Sequence, residues 1–104
     1  MDEKEASLWD VSYSNRAEKQ RKKLSLKFQQ AVDLLAMEIE KYGPIRRNWP
    51  HFGALTKAPG IPDKAFHCHL NKGKPTQVSC WYVIDKKNKK VEIFYVGTHE
   101  NAPY

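Results

Sequence analysis

Cysteine is scarce in this chain of 104 residues: only Cys68 and Cys80 are present, and they form no CxxC pair. A zinc site built on paired thiolates is therefore not expected, and two cysteines at inward-facing positions of strand-like runs read as reduced, buried thiols. No cofactor is implied. Long apolar runs are also missing, since nothing approaches the roughly 20 apolar residues of a membrane span. The start, Met1-Asp-Glu-Lys-Glu5, is acidic and polar where a signal peptide is basic and then apolar. The expectation is a cytoplasmic chain with no membrane contact. Acidic residues are in deficit, 12 Asp plus Glu against 18 Lys plus Arg, for a formal charge of +6 and a pI near 9.4. Such an excess favours a polyanion, and nucleic acid over a membrane surface because no amphipathic cationic segment stands out. The length supports one domain, residues 1–104, with a single modest core.

Leu8-Trp-Asp-Val-Ser-Tyr13 alternates apolar and polar side chains and stops at Ser14-Asn15, both good helix caps, which predicts a strand leading into a helix. Arg16 to Lys23 is a strongly basic helical segment, and Ser25 caps a second helix that Gly43-Pro44 ends. Leu24, Phe28, Ala31, Leu35, Ile39 and Tyr42 recur at three- and four-residue steps and form an apolar stripe that must face a sheet. Residues 43–64 hold four prolines and three glycines without a sustained period, which reads as an irregular connection pinned by Trp49, Phe52 and Leu55.

Three strands follow, about Ala65 to Asn71, Gln77 to Asp85 and Lys90 to Thr98, joined by the polar turns Lys72 to Pro75 and Lys86 to Lys89. Turns of this length make an antiparallel meander. The order β-α-α-β-β-β gives an α+β fold with an antiparallel sheet and two N-terminal helices packed on one face. The other face is left for a shallow basic surface. Trp81 and Tyr95 read as packing residues, while the register of the middle strand stays open: either Ser79 and Trp81 or Val78 and Cys80 share that surface.

Three of the four histidines stand in or after these strands. His67 and His69, two apart, share one strand face, with Phe66, Cys68 and Leu70 on the other. The last strand runs into a polar tail carrying His99 and Tyr104, and a β-branched, aromatic strand at this place suggests a tail that is held down. His51, in the proline-rich connection, reads as incidental.

The element order, the basic helices and the closing pattern Trp81-Tyr-Val-Ile-Asp85 then Val91-Glu-Ile-Phe-Tyr-Val-Gly-Thr-His99 resemble the RelE/ParE superfamily of bacterial toxin-antitoxin toxins, from about Trp9 to Tyr104. The resemblance implies an endoribonuclease that cuts messenger RNA on the ribosome, neutralised by a cognate antitoxin. It implies site residues at His67, His69, His99 and Tyr104. Relatives often carry an arginine near the start of the middle strand, where this chain has Gln77, Val78 and Ser79 and no arginine follows Arg47. Lys72, Lys74 or a protonated histidine must then hold the phosphate.

Metal-free RNA cleavage needs a base for the ribose 2′-hydroxyl and an acid for the leaving 5′-oxygen. Histidine suits both tasks near neutral pH. His99 and either His67 or His69 take these roles in an order the sequence leaves open, and Tyr104 stacks on a base or orients a hydroxyl. Lys19, Lys22 and Lys23 on the first helix, with Arg46, Arg47 and Lys57 in the connection, are candidate contacts to RNA backbone. Two other readings compete: a ParE-like gyrase inhibitor, and a basic nucleic-acid-binding module without catalysis.

Overall fold

Ser14 and Gly43 bound the helical part of the chain in the computed structural model, which describes residues 8–104. The Met1 to Glu5 start lies outside those residues. Strand β1 (Asp10–Tyr13) ends at Ser14, whose side chain accepts the amide of Ala17 at 3.1 Å and opens helix α1 (Asn15–Lys23). Glu18 in the first turn and Arg21, Lys22 and Lys23 in the last complement the helix dipole. Leu24 turns extended, and helix α2 (Leu26–Tyr42) follows Ser25, whose side chain makes no capping bond. Gly43 stops α2 at φ +94°, a backbone conformation that suits glycine, and its amide donates to Ile39. Arg21 and Asp33 brace the two helices through a paired fork at 2.8 and 2.6 Å.

After α2 come the two-residue strand β2 (Gly53–Ala54), then β3 (Ala65–His69), β4 (Gln77–Asp85) and β5 (Lys90–Thr98). They make one five-stranded sheet in the order β1-β5-β4-β3-β2. The expected antiparallel meander is formed by β3, β4 and β5. β1 joins β5 in parallel, as the two helices between it and the meander allow. The strand β2, inside the connection read as irregular, extends the sheet antiparallel to β3.

Both helices lie on one face. Ala17, Val32, Leu35 and Ile39 pack against Cys68, Trp81, Val91, Ile93 and Val96, all of them buried. Each large aliphatic side chain removed from water here contributes roughly 1.5–3 kcal/mol. Trp81 is fully buried and donates its indole N–H to the Pro44 carbonyl at 3.0 Å, fastening the end of α2 to the sheet. The stripe of α2 departs from the expected one at two places: Val32 rather than Ala31 is fully buried, and Tyr42 is 68% exposed beneath the Arg46 guanidinium.

The register of β4 is fixed by Cys68 opposite Ser79 and Phe66 opposite Trp81. Ser79 and Trp81 therefore face the helices, and Val78 and Cys80 face the other way. There they form a second buried cluster with Tyr95, flanked by Leu55, Phe94 and Ala102. Cys68 and Cys80 are free and buried on opposite faces of the sheet; burial raises the Cys68 thiol and pushes Cys80 up to about 12. Among the described residues no helix is long and apolar enough to cross a membrane.

Candidate active site

Alternation along β3 decides what the open face carries. Cys68 turns to the helices, so His67 and His69 turn away from them. His67 stands opposite Gly53 of β2, where a Cβ would come within 3.4 Å of its Nε2. Glycine leaves that imidazole room.

The end of β5 is brought to the same place by β4. Thr98 pairs with Gln77 and His69 pairs with Val78, so the chain leaves β5 beside His69. The His99 amide donates to the Thr76 carbonyl at 2.8 Å, and a short 3₁₀ turn, His99–Asn101, follows. Ala102 donates back to His99 and packs on the second cluster, which returns Tyr104 to the sheet. The four rings expected from sequence meet. Centroid separations are 4.5 Å for His67 and Tyr104, 5.6 Å for His99 and Tyr104, and 5.4 Å for His69 and His99.

A fifth ring joins them. His51 stacks on His69 at 4.1 Å with planes 25° apart, so the side chain read from sequence as incidental belongs to the cluster. Its segment carried no periodic signal, and the placement depends on two long-range ties: the His69 amide donates to the Pro50 carbonyl at 2.8 Å, and Gly53 pairs with His67.

Burial shifts His67, His69 and Tyr104 in a common direction, toward their neutral forms. It holds His67 below the ordinary histidine value, with help from the nearby His99 and His51. His69 is lowered by burial and then by His51, His99 and His67. The Tyr104 phenol is pushed up to about 12, chiefly by burial, and stays a hydroxyl at neutral pH. The Nδ1 of His67 is buried with no hydrogen-bond partner in the protein. Neutral imidazoles beside a protonated phenol can accept, donate and orient protons. Among the described residues no three His, Cys, Asp or Glu side chains are grouped to hold a metal ion.

The cationic candidates spread more widely. Lys74 borders a cavity of about 240 Å³ with His99 and Glu100, and Lys72 is exposed in the same turn. Arg46 lies on the helix side, 3.4 Å from Glu38, and Arg47 is exposed. Lys57 pairs with Asp63 at 3.2 Å on the surface. Lys19 and Lys22 edge a depression on α1, whereas Lys23 lines a groove of about 670 Å³ that also holds Arg16, Gln20, Gln77 and Thr98. Arg16, which sequence reading did not single out, thus stands in a groove that ends one residue from His99.

No family model matches the sequence, and no curated protein matches it. Solved structures do. A mutant of the Escherichia coli toxin RelE in the free state superposes with a TM-score of 0.62 at 19% identity, over 89% of this chain and 85% of that one. The chain has the RelE-like toxin fold. A chain of the RelBE2 toxin-antitoxin complex from Mycobacterium tuberculosis matches with a TM-score of 0.63 at 18% identity, over 88% of this chain and 99% of that one. The YoeB dimer from Staphylococcus aureus gives 0.66 at 12% identity, over 89% and 99%. At such identities the RelE-like likeness is one of architecture, and function rests on the site.

Proposed function

We propose that this RelE-like chain is the toxin of a toxin-antitoxin pair and a metal-independent endoribonuclease that cuts messenger RNA on the ribosome, in the cytoplasm. The observation that carries the reading is the convergence of His67, His69, His99 and Tyr104, from β3 and the segment after β5, into one cluster of rings on the face the helices leave open. A strand imidazole, kept neutral by burial, takes the 2′-hydroxyl proton as that oxygen attacks phosphorus. His99, exposed on its turn, protonates the leaving 5′-oxygen. Tyr104 donates its hydroxyl or stacks on a base. General acid-base help of this kind is worth about 10²–10⁴ in rate. Lys74 borders the same cavity as His99, and Arg16 and Lys23 extend positive charge along α1.

Two of the similar folds come from complexes described as RelBE toxin-antitoxin assemblies, which supports a cognate antitoxin for this chain. The test is induction of the wild-type chain beside His99→Ala in a bacterial host, with growth and message 5′-ends followed together and the variant's fold checked by circular dichroism. Growth arrest with new cuts inside codons, both lost on substitution, is the expected result. Arrest without cuts overturns the nuclease reading in favour of a gyrase-directed toxin, and no arrest leaves a nucleic-acid-binding module.

A further inference from the structure

Phosphodiester cleavage needs positive charge beside the phosphate, and β4 supplies none on the site face, where Val78 and Cys80 point. Lys72 and Lys74 are exposed in a turn at the margin. Arg16 and Lys23 line the groove on the helix side, so on the open face the charge comes from within the rings or from that turn. His51 is the ring supplied by the irregular connection before β2, and the chain holds it firmly. Its backbone lies at φ +55°, which non-glycine residues adopt rarely. The flanking residues account for its persistence: Pro50 accepts the amide of His69 itself, Phe52 stacks on Phe66 at 5.7 Å, and Gly53 is paired with His67.

We propose that His51 and His69 work as one unit, a stacked imidazole pair that carries a single shared positive charge and presents it to the scissile phosphate in place of the absent arginine. The inference rests on the nuclease reading of the same site, with His67 as the strand base and His69 left to the phosphate. Two imidazolium rings 4.1 Å apart repel too strongly for both to be charged near neutral pH, so a proton on one keeps the other neutral. Other groups facing the pair act in the same sense: His67 along β3 and His99 at 5.4 Å. Glu100 and Lys74 border His99 with opposite charges, and Tyr104 covers the His67 end as a neutral phenol. Titration of His69 below its ordinary value, after burial, has His51 as its leading electrostatic cause, in line with the geometry.

The test uses the intact chain, with the four histidines followed by NMR from pH 5 to 8, in wild type and in His51→Phe, which keeps a stacking ring and removes its charge. The expected result is a His69 midpoint that rises by on the order of one pH unit in the variant, together with biphasic His51 and His69 curves in wild type. An unchanged His69 midpoint overturns the shared charge, whatever the activity. His51→Gln is the second variant, and the two should agree in direction. Message cleavage on ribosomes is then read against pH: the variant's alkaline limb, where the phosphate-holding cation is lost, should move with the His69 midpoint. A shifted midpoint with an unmoved cleavage profile overturns the role toward phosphate. Absence of cleavage by the wild-type chain overturns that role with the nuclease reading, while the titration still decides whether the two rings share a proton.

Discussion

The imidazole of His67 lies against the phenol of Tyr104, their centroids 4.5 Å apart and their planes inclined by 38°. One ring comes from the second last strand of the sheet toward its β2 edge, the other from the residues beyond β5, and between them they close the wall of a cavity of about 470 Å³ with Leu55 and Ile61. Tyr104 thus shields His67 from water, and burial is the main reason that His67 resists protonation.

Replacing Tyr104 by Ala should expose His67 and move its titration up toward the ordinary histidine value, whereas Tyr104→Phe should leave it nearly in place. NMR titration separates the two. In ribosomal cleavage assays Tyr104→Ala should lose activity by about 10²-fold, the low end of what general acid-base help contributes. Equal His67 midpoints in the Ala and Phe variants would sink the shielding argument.

Gly97 should not tolerate alanine. A Cβ at this position would lie 2.8 Å from the Tyr95 hydroxyl, which donates to the Thr98 carbonyl at 2.7 Å and secures the exit of β5 toward His99. Gly97→Ala should cost about 1–3 kcal/mol in urea unfolding, as overpacking of a filled site does. Tyr95→Phe should cost about 1 kcal/mol for the lost hydrogen bond. In the Tyr95→Phe background the alanine should cost less, because the clashing oxygen is gone; strict additivity in the double-mutant cycle would refute the contact.

Local chemistry carried much of this fold in the sequence. Ser14 and Gly43 announce the helix limits, and the turns at 72–75 and 86–89 announce the meander. Strand alternation put His67 and His69 on one face and the closing strand suggested a held tail with His99 and Tyr104, whereas the grouping of all four came from the resemblance to RelE-like toxins. The middle strand was different. Gln77 to Trp81 are all buried, and the polar pair Gln77 and Ser79 lies on the helix side, so polarity along β4 does not reveal which residues face the site. His51 was out of reach for another reason: its position depends on Pro50 meeting the His69 amide, a contact between distant residues without local periodicity.

Glu38 should govern that contact from behind. Its Oε1 accepts from the Trp49 indole at 3.0 Å and from Asn48 at 2.9 Å, and lies 3.4 Å from Arg46. Burial works against its charge, but these three donors outweigh it and hold the carboxyl below its ordinary value. Glu38→Ala leaves the indole and guanidinium without their acceptor and should destabilise by roughly 1–3 kcal/mol. It should also loosen the segment that leads to His51, seen as faster amide exchange at Trp49 and His69. Destabilisation with unchanged exchange at those two amides would show that the segment is held by its aromatic contacts alone.

Acid should unfold the protein earlier than its carboxylates require. His67 and His69 have folded values depressed below the ordinary 6.5, so as pH falls through 6.5 the unfolded chain takes up protons that the folded chain refuses. Stability present above about pH 6.5 is therefore lost as pH falls from there through the folded values. Glu38, with its depressed carboxyl, adds to the loss only at lower pH. The apparent Tm should stay level above pH 7 and decline between about pH 6.5 and 5, where ordinary carboxylates remain charged. A double variant, His67→Gln with His69→Gln, should flatten that decline while leaving the steeper fall below pH 4.5 in place. If the double variant keeps the wild-type slope from pH 6.5 to 5, the linkage lies in other groups and the burial of these two imidazoles is not what the protein resists on acidification.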